Sequence, residues 1–348
     1  MLQEMQLQNF RCFESLRAKF APGFNFFLGA NGAGKTSILE AACVLLRLQS
    51  QRSTSLAPLV QFGRKWFAIS GRVSAHLLEF RYSSLRRQIA FDGVEQRTAD
   101  EYLRACRVVS FANMDIEIVR GSSEQRRRYL NFIGAQIYPG YRAILRAYER
   151  ALRSRNALLK SAQPREREIA AYDKPLLEYG SELGRLRAQI VDRVAPFASA
   201  AYAQISGGSE ALELQMLSGN EADFAADLAR SHAQERRMRQ TIVGPHRDDI
   251  ALRVDQNVAA EFASEGQQRS VALAMKIAQA AMFHAEDGAP PLLLIDDIFG
   301  ELDQNRRNAL LAALPQASQK FVTATAMSWR ESAGGATFEV RDREVTPA

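Results

Sequence analysis

The residues Gly29-Ala30-Asn31-Gly32-Ala33-Gly34-Lys35-Thr36 constrain this chain more than any other stretch, because they match G-x-x-x-x-G-K-[ST] at every fixed position. A short apolar run, Phe24 to Leu28, precedes them, and residues with helical spacing, Ile38 to Leu48, follow from Ser37 onward. That order of strand, glycine-rich turn and helix curls successive backbone N–H groups around an anion at the positive end of a helix. The motif therefore predicts a phosphate cradle made by Gly29, Ala30, Asn31, Gly32, Ala33, Gly34, Lys35, Thr36 and Ser37. Lys35 is expected to reach the β- and γ-phosphates of ATP, and the Thr36 hydroxyl to hold Mg²⁺. A glycine-rich turn with nothing bound is the bland reading, and motif and context together set it aside.

A second element stands far along the chain, where Pro290-Pro291-Leu292-Leu293-Leu294-Ile295 delivers Asp296 and Asp297 at the end of an apolar run. A buried strand ending in acids is common by itself. Paired with the phosphate loop, it reads as a Walker B strand. Side chains alternate along a strand, so Asp296 is expected to hold Mg²⁺ and Asp297 to face the γ-phosphate and act as the catalytic carboxylate beside Lys35.

A third element lies between them. Ser264-Glu265-Gly266-Gln267-Gln268 opens a helix with apolar residues at Val271, Leu273, Met275, Ile277 and Ala278, and Ser264 is an N-cap candidate. A helix start carrying Ser and Gly is a second anion-binding arrangement, although a capped helix with nothing bound looks the same in isolation. Beside the other two motifs, it resembles the signature motif of ABC-type ATPases. In that group the signature completes the nucleotide site of another subunit, so Ser264, Gly266 and Gln267 imply a homodimer formed on ATP binding. Glu301-Leu302-Asp303 looks like the D-loop that crosses the same interface.

Composition narrows the remaining classes. With 47% hydrophobic and 24% charged residues, the 348-residue chain is neither disordered nor collagenous. Its best apolar run, Pro290 to Ile295, is too short to span a bilayer, and its first residues lack the pattern of a signal peptide. A cytoplasmic protein with no membrane partner is expected. Three cysteines, Cys12, Cys43 and Cys106, are too few for a disulfide scaffold and are expected as buried small apolar groups. Four scattered histidines give no reason for a transition-metal site.

Strand-like runs continue at Met5 to Phe10, Trp66 to Val73, His76 to Tyr82 and Arg107 to Phe111. From Glu124 to about Tyr202 helix formers dominate, with isolated breakers at Pro139-Gly140, Pro164, Pro175 and Pro196, until Ser206-Gly207-Gly208-Ser209 signals a loop. Further strands are expected at Leu292 to Ile295 and Lys320 to Thr325. Net charge is only +6, yet residues 126–168 hold eleven basic residues against three acidic ones. Projected at about 100° per residue, Arg142, Arg146, Arg150, Arg153 and Lys160 form one narrow stripe with no interleaved acid, opposite Ile144, Tyr148, Ala151 and Leu159. Such a stripe is most often a solvated face, and it also suits contact with a phosphate backbone. Arg155 falls on the apolar side and needs a buried partner or a role of its own.

Several stretches together resemble the RecF family of bacterial replication and recombinational repair proteins, over nearly the whole chain. Leu7-Gln8-Asn9-Phe10-Arg11-Cys12-Phe13 looks like its opening strand, and Gly121-Ser122-Ser123-Glu124-Gln125-Arg126-Arg127-Arg128 like its G-S-P-x-x-R-R-R segment. Arg155-Asn156-Ala157-Leu158-Leu159-Lys160, Tyr172-Asp173-Lys174, Gly244-Pro245-His246-Arg247-Asp248-Asp249 and Ala263-Ser264-Glu265-Gly266-Gln267-Gln268-Arg269 match further family segments.

The resemblance implies an α/β fold, an ABC/SMC-like P-loop ATPase head at 1–125 and 206–348 with an inserted helical lobe at 126–205. It implies a protein that binds DNA, duplex or at single-strand/double-strand junctions, dimerises on ATP, and promotes recombinase loading at single-strand gaps with RecR and RecO type partners. Weak DNA-dependent ATPase activity is expected, since Asp297 stands where many ABC-type ATPases carry Glu. Val108-Val109-Ser110-Phe111 lacks a Q-loop glutamine and Phe321 to Thr325 lacks a switch histidine, leaving Thr325 as a stand-in. A nucleotide-binding subunit of an ABC transporter would share the three motifs, though not the basic lobe. An ATP-gated DNA clamp with negligible hydrolysis is the other alternative.

Overall fold

Buried and exposed side chains alternate along Leu2–Phe10 (β1) and Phe13–Lys19 (β2), which pair as an antiparallel hairpin. The computed structural model describes residues 1–53, 55–208, 210–221, 223–325 and 334–348; Ser209, read above as part of a loop, lies outside them. The hairpin continues into an antiparallel sheet, ordered β2-β1-β4-β5-β6-β7, through Trp66–Val73 (β4), His76–Ser83 (β5), Arg87–Phe91 (β6) and Val94–Glu95 (β7). A second sheet runs β15-β14-β3-β13-β12-β8. Its strands are Phe24–Leu28 (β3), Val108–Ala112 (β8), Leu292–Asp296 (β12), Lys320–Ala324 (β13), Gly335–Arg341 (β14) and Glu344–Pro347 (β15). All pairs within β14-β3-β13-β12-β8 are parallel.

Helix α1, Lys35–Arg47, packs against strands of both sheets. Ile38, Leu39 and Ala41 through Leu46 are all at most 1% exposed. A helix apolar on every side has to be enclosed, and this one forms the centre of its unit. Short helices Asp100–Arg104 (α2) and Gln304–Ala313 (α11) complete that unit, which comprises Met1–Asp115 and Gln279–Ala348.

The second unit is Ile116–Ala278. It holds Glu117–Arg120 (α3), Ser123–Ile137 (α4), Tyr141–Leu159 (α5), Glu166–Ala170 (α6), Asp173–Ser206 (α7), Phe224–Met238 (α8) and Ala259–Phe262 (α9). Helix α10, Glu265–Asp287, begins in it. It also contains an antiparallel sheet of Leu212–Leu217 (β9), Asp249–Val254 (β10) and Asn257–Val258 (β11). The inserted lobe read from sequence, 126–205, is therefore only part of this unit. Strand β9 packs along α7 and pairs with β10, which draws residues 206–278 into one body with the helices. Helix α7 also runs straight through Pro175 and Pro196, both read as breakers. Pro175 lies in the first turn, where its missing N–H is tolerated. Pro196 lies between buried Val194 and Ala198, whose packing holds the chain helical despite one lost hydrogen bond.

Buried charge ties this unit together. Arg155 is fully buried, as its place on the apolar side of α5 requires, and donates to Asp173, Glu235 and Thr241 at 2.8 Å each. Arg187 donates to Asp248 at 2.9 Å and to Asn131 at 3.0 Å, while the other oxygen of Asp248 accepts from Gly219 N–H at 2.9 Å. Tyr148 Oη and His246 Nδ1 meet at 2.7 Å, and burial pushes the His246 pKa down to about 4, so the ring is neutral at pH 7. The R-N-x-L-L-K, Y-D-K and G-P-H-R-D-D segments thus serve the packing of this unit.

Candidate nucleotide site

In a parallel sheet, ligands gather at the carboxyl ends of the strands, and here β3, β13 and β12 end side by side. Strand β3 leads into the glycine-rich loop, where Gly32 and Gly34 have φ of 81° and 110°. A side chain on Gly34 would come within 2.8 Å of Cys12 Sγ and Phe13 Cζ, and one on Gly29 within 2.2 Å of the Val340 carbonyl. Only glycine fits either place. The loop closes on itself through Ala33 N–H to the Ala30 carbonyl at 3.2 Å, and Ser37 N–H donates to the Gly34 carbonyl at 2.9 Å. Lys35 Nζ donates to the carbonyls of Gly29 at 2.6 Å and Ala30 at 2.9 Å. Burial lowers its pKa, with Asp297 and Asp296 opposing the shift.

Two threonines and two acids, from the start of α1, the end of β12 and β13, complete the floor. Thr36 Oγ1 and Thr323 Oγ1 each donate to Asp296 Oδ1 at 2.8 Å, and Asp297 N–H donates to Thr323 Oγ1 at 2.9 Å. Asp297 has φ 51°, so the chain turns there and separates its carboxylate from that of Asp296. Burial raises the Asp297 pKa; Lys35 pulls it down, while Asp296 and Glu301 push it further up.

These residues face a cleft of about 710 Å³ lined by Asn31, Gly32, Gly34 to Ser37, Asp297 and Thr323, together with Arg11, Cys12, Arg52, Pro58, Val60 and Phe62. The structure brings together Lys35, Thr36, Asp296 and Asp297 as the motifs predicted. Cys12, expected to be buried, is half-exposed on this cleft, and Cys106 is half-exposed as well, so only Cys43 behaves as expected. Sequence reasoning missed three residues. Thr323 sits in a strand read only for its missing histidine. Arg11, in the quoted opening segment, donates to Glu40 at 2.8 and 3.0 Å and so reaches the cleft anchored. Phe62 carried no local signal.

The predicted signature residues belong to the other unit. Ser264 N–H donates to Gln267 Oε1 at 2.7 Å and Gln267 N–H donates back to Ser264 Oγ at 3.3 Å, a reciprocal capping box at the start of α10. Gln267 Nε2 also donates to Glu210 at 2.6 Å, and the Gly266 carbonyl accepts from Ser270 at 3.0 Å. Ser264 remains exposed. In the first unit, Asp303 caps α11 by accepting from Arg306 N–H at 2.9 Å, and Thr325 is exposed after β13.

On α5, Arg146, Arg150 and Arg153 are exposed, as is Lys160 just past its end, and Arg142 is half-buried. The stripe is not free of acids as expected, since Glu149 comes within 3.7 Å of Arg153 one turn away. Nearby basic residues are committed elsewhere: Arg126 to Asp249 at 2.5 and 3.0 Å, Arg127 to the Asp248 carbonyl at 2.8 Å, and Arg128 to Glu124 at 2.5 Å. Among the described residues, no helix is long and apolar enough to cross a membrane.

Comparison with known proteins agrees with this geometry. The RecF/RecN/SMC N-terminal domain family matches residues 1–344. The DNA replication and repair protein RecF of Symbiobacterium thermophilum is 38% identical over 341 residues, 93% of this chain and 91% of its own. A solved structure of the recombination mediator protein RecF with ATP, from the RecFOR pathway, superposes with a TM-score of 0.90 at 29% identity, covering 100% of this chain and 97% of that one. An Smc head bound to the C-terminal winged-helix domain of ScpA shares the fold, with a TM-score of 0.56 at 15% identity over 100% of this chain and 97% of its own. The architecture is an α/β ABC/SMC-like P-loop ATPase fold with an inserted helical lobe.

Proposed function

This chain belongs to the RecF family, and from that premise we propose that it is an ATP-binding mediator of DNA repair and recombination. The observation that carries the reading is the cluster of Thr36, Asp296 and Thr323 joined at 2.8 Å beside Lys35 and Asp297 on an open cleft. Lys35 is the cation for the β- and γ-phosphates, and the loop from Gly29 to Ser37 supplies the surrounding N–H donors. One hydroxyl and one carboxylate side by side form an all-oxygen pair that suits Mg²⁺, a hard cation that keeps most of its shell on water and phosphate. Thr36 and Asp296 would hold it, and it would neutralise charge on the triphosphate. Asp297, facing the cleft with a raised pKa, orients the attacking water and accepts its proton. The aspartate is shorter than glutamate, so turnover is slow and ATP acts chiefly as a switch.

In this reading Ser264, Gly266 and Gln267 of a second copy close the site, so that ATP joins two chains and hydrolysis parts them. DNA, as duplex or at a single-strand/double-strand junction, lies against the basic stripe of α5, and RecR and RecO type proteins are the partners through which a recombinase is loaded. Lys35→Ala tests the core of this proposal. ATP affinity should fall roughly a hundredfold, with ATP-dependent dimerisation lost alongside. Unchanged affinity, measured by calorimetry, would remove the cleft from the nucleotide.

A further inference from the structure

Phe62 is fully exposed, at 103% of its reference surface, on the cleft that holds Lys35 and Asp297. A lone exposed apolar residue is ordinary. The setting of this one is not. Gln61-Phe62-Gly63-Arg64 forms a tight turn, closed by Arg64 N–H to the Gln61 carbonyl at 3.0 Å, with Gly63 at φ 81° as a type II turn requires in its third position. Phe62 occupies the corner. The turn is fastened to the β1–β2 hairpin by Gln61 N–H to the Asn9 carbonyl and Arg11 N–H to the Leu59 carbonyl, both at 2.8 Å. Val60 bridges Phe10, and Arg64 donates to Glu14 at 2.8 Å. Covering the ring therefore orders its side-chain torsions alone, because the backbone beneath it is already braced.

Pro58 and Val60 line the same cleft, which therefore has an apolar stretch at 58–62 besides the cationic, N–H-rich stretch at the phosphate loop. A nucleotide has the same two parts. We propose that Phe62 is the platform on which the nucleotide base stacks, a positioning residue that supplies affinity for the base and none for the phosphates. The inference rests on the reading of this cleft as the ATP site.

Calorimetry on the unaltered chain, Phe62→Ala and Phe62→Tyr, each titrated with ATP and with inorganic tripolyphosphate, tests it, with sedimentation run in parallel. Phe62→Ala should weaken ATP about tenfold, Phe62→Tyr should keep ATP affinity within about twofold, and tripolyphosphate should bind all three alike. Undiminished ATP affinity in Phe62→Ala would overturn the proposal. So would an equal loss for ATP and tripolyphosphate, which would mark a distorted loop. A dimer lost while each protomer still binds ATP normally would instead make Phe62 a contact between copies, also overturning it. If the unaltered chain binds neither compound, the nucleotide reading itself falls and takes this proposal with it.

Discussion

Asp297 differs from Asp296 in which way it faces. Asp296 is occupied by two threonine hydroxyls, whereas Asp297 looks onto the cleft with Asp296 and Glu301 near enough to raise its pKa on top of burial, and Lys35 opposing them. A base must be unprotonated to take a proton, so single-turnover ATP hydrolysis should decline as pH falls, with a midpoint above the ordinary carboxylate range. A midpoint inside that range would assign the base elsewhere. Asp297→Asn, which keeps size and removes basicity, should leave ATP affinity within a few-fold and slow hydrolysis by about 10²–10⁴; an unimpaired rate would mean that Asp297 is idle. Lys35, Thr36, Asp296 and Asp297 were legible in sequence because each is named by its immediate neighbours. Thr323 and Phe62 were not, since strand pairing and a hairpin-braced turn bring them to the cleft from segments without a motif of their own, and Arg11 stood in a segment quoted only for its family likeness.

At the level of elements, the start of α10 raises a choice between two roles for one residue. Ser264 is an N-cap, and it is also the residue that a second copy would present to the triphosphate. Aspartate caps helices as well as serine does, yet it places a negative charge where the γ-phosphate would arrive. Ser264→Asp should therefore leave thermal stability and ATP binding by the single chain nearly unchanged while abolishing the ATP-induced dimer in sedimentation. A normal dimer would reduce Ser264 to a cap. Strands β3 and β12 and helix α1 could be read from sequence because apolar runs and a motif mark them locally. Elsewhere packing overrode local signals: α7 passes Pro196, and β9 and β10 pair into the unit that begins at Ile116. Arg155 was singled out by the helical period as breaking an otherwise apolar face, and of the two readings left open, a buried partner or a role of its own, the structure supplies the partners.

For the molecule as a whole, the open question is where a polyanion lies. Arg126, Arg127 and Arg128 are spent on Asp249, Asp248 and Glu124, and Glu149 sits beside Arg153, which leaves Arg146 and Arg150 as the exposed cations of α5 best placed to meet phosphates. Each phosphate contact on duplex DNA contributes a slope of about −0.9 in log K against log salt, so Arg146→Glu with Arg150→Glu should weaken binding to every sequence alike and flatten the slope by about two units, with ATP affinity unchanged. An unaltered slope would move DNA off α5. The sheet order carries a different consequence, one of time. Strand β3 is flanked in its sheet by β13 and β14, both made long after it, and the hydroxyl of Thr36 waits for a carboxylate 260 residues later. At about 5–20 residues per second, the ribosome takes roughly 15–60 s to pass from that strand to β13. Until then the strand lacks both of its neighbours and the cleft lacks its acids, so bound nucleotide cannot assist that stage of folding.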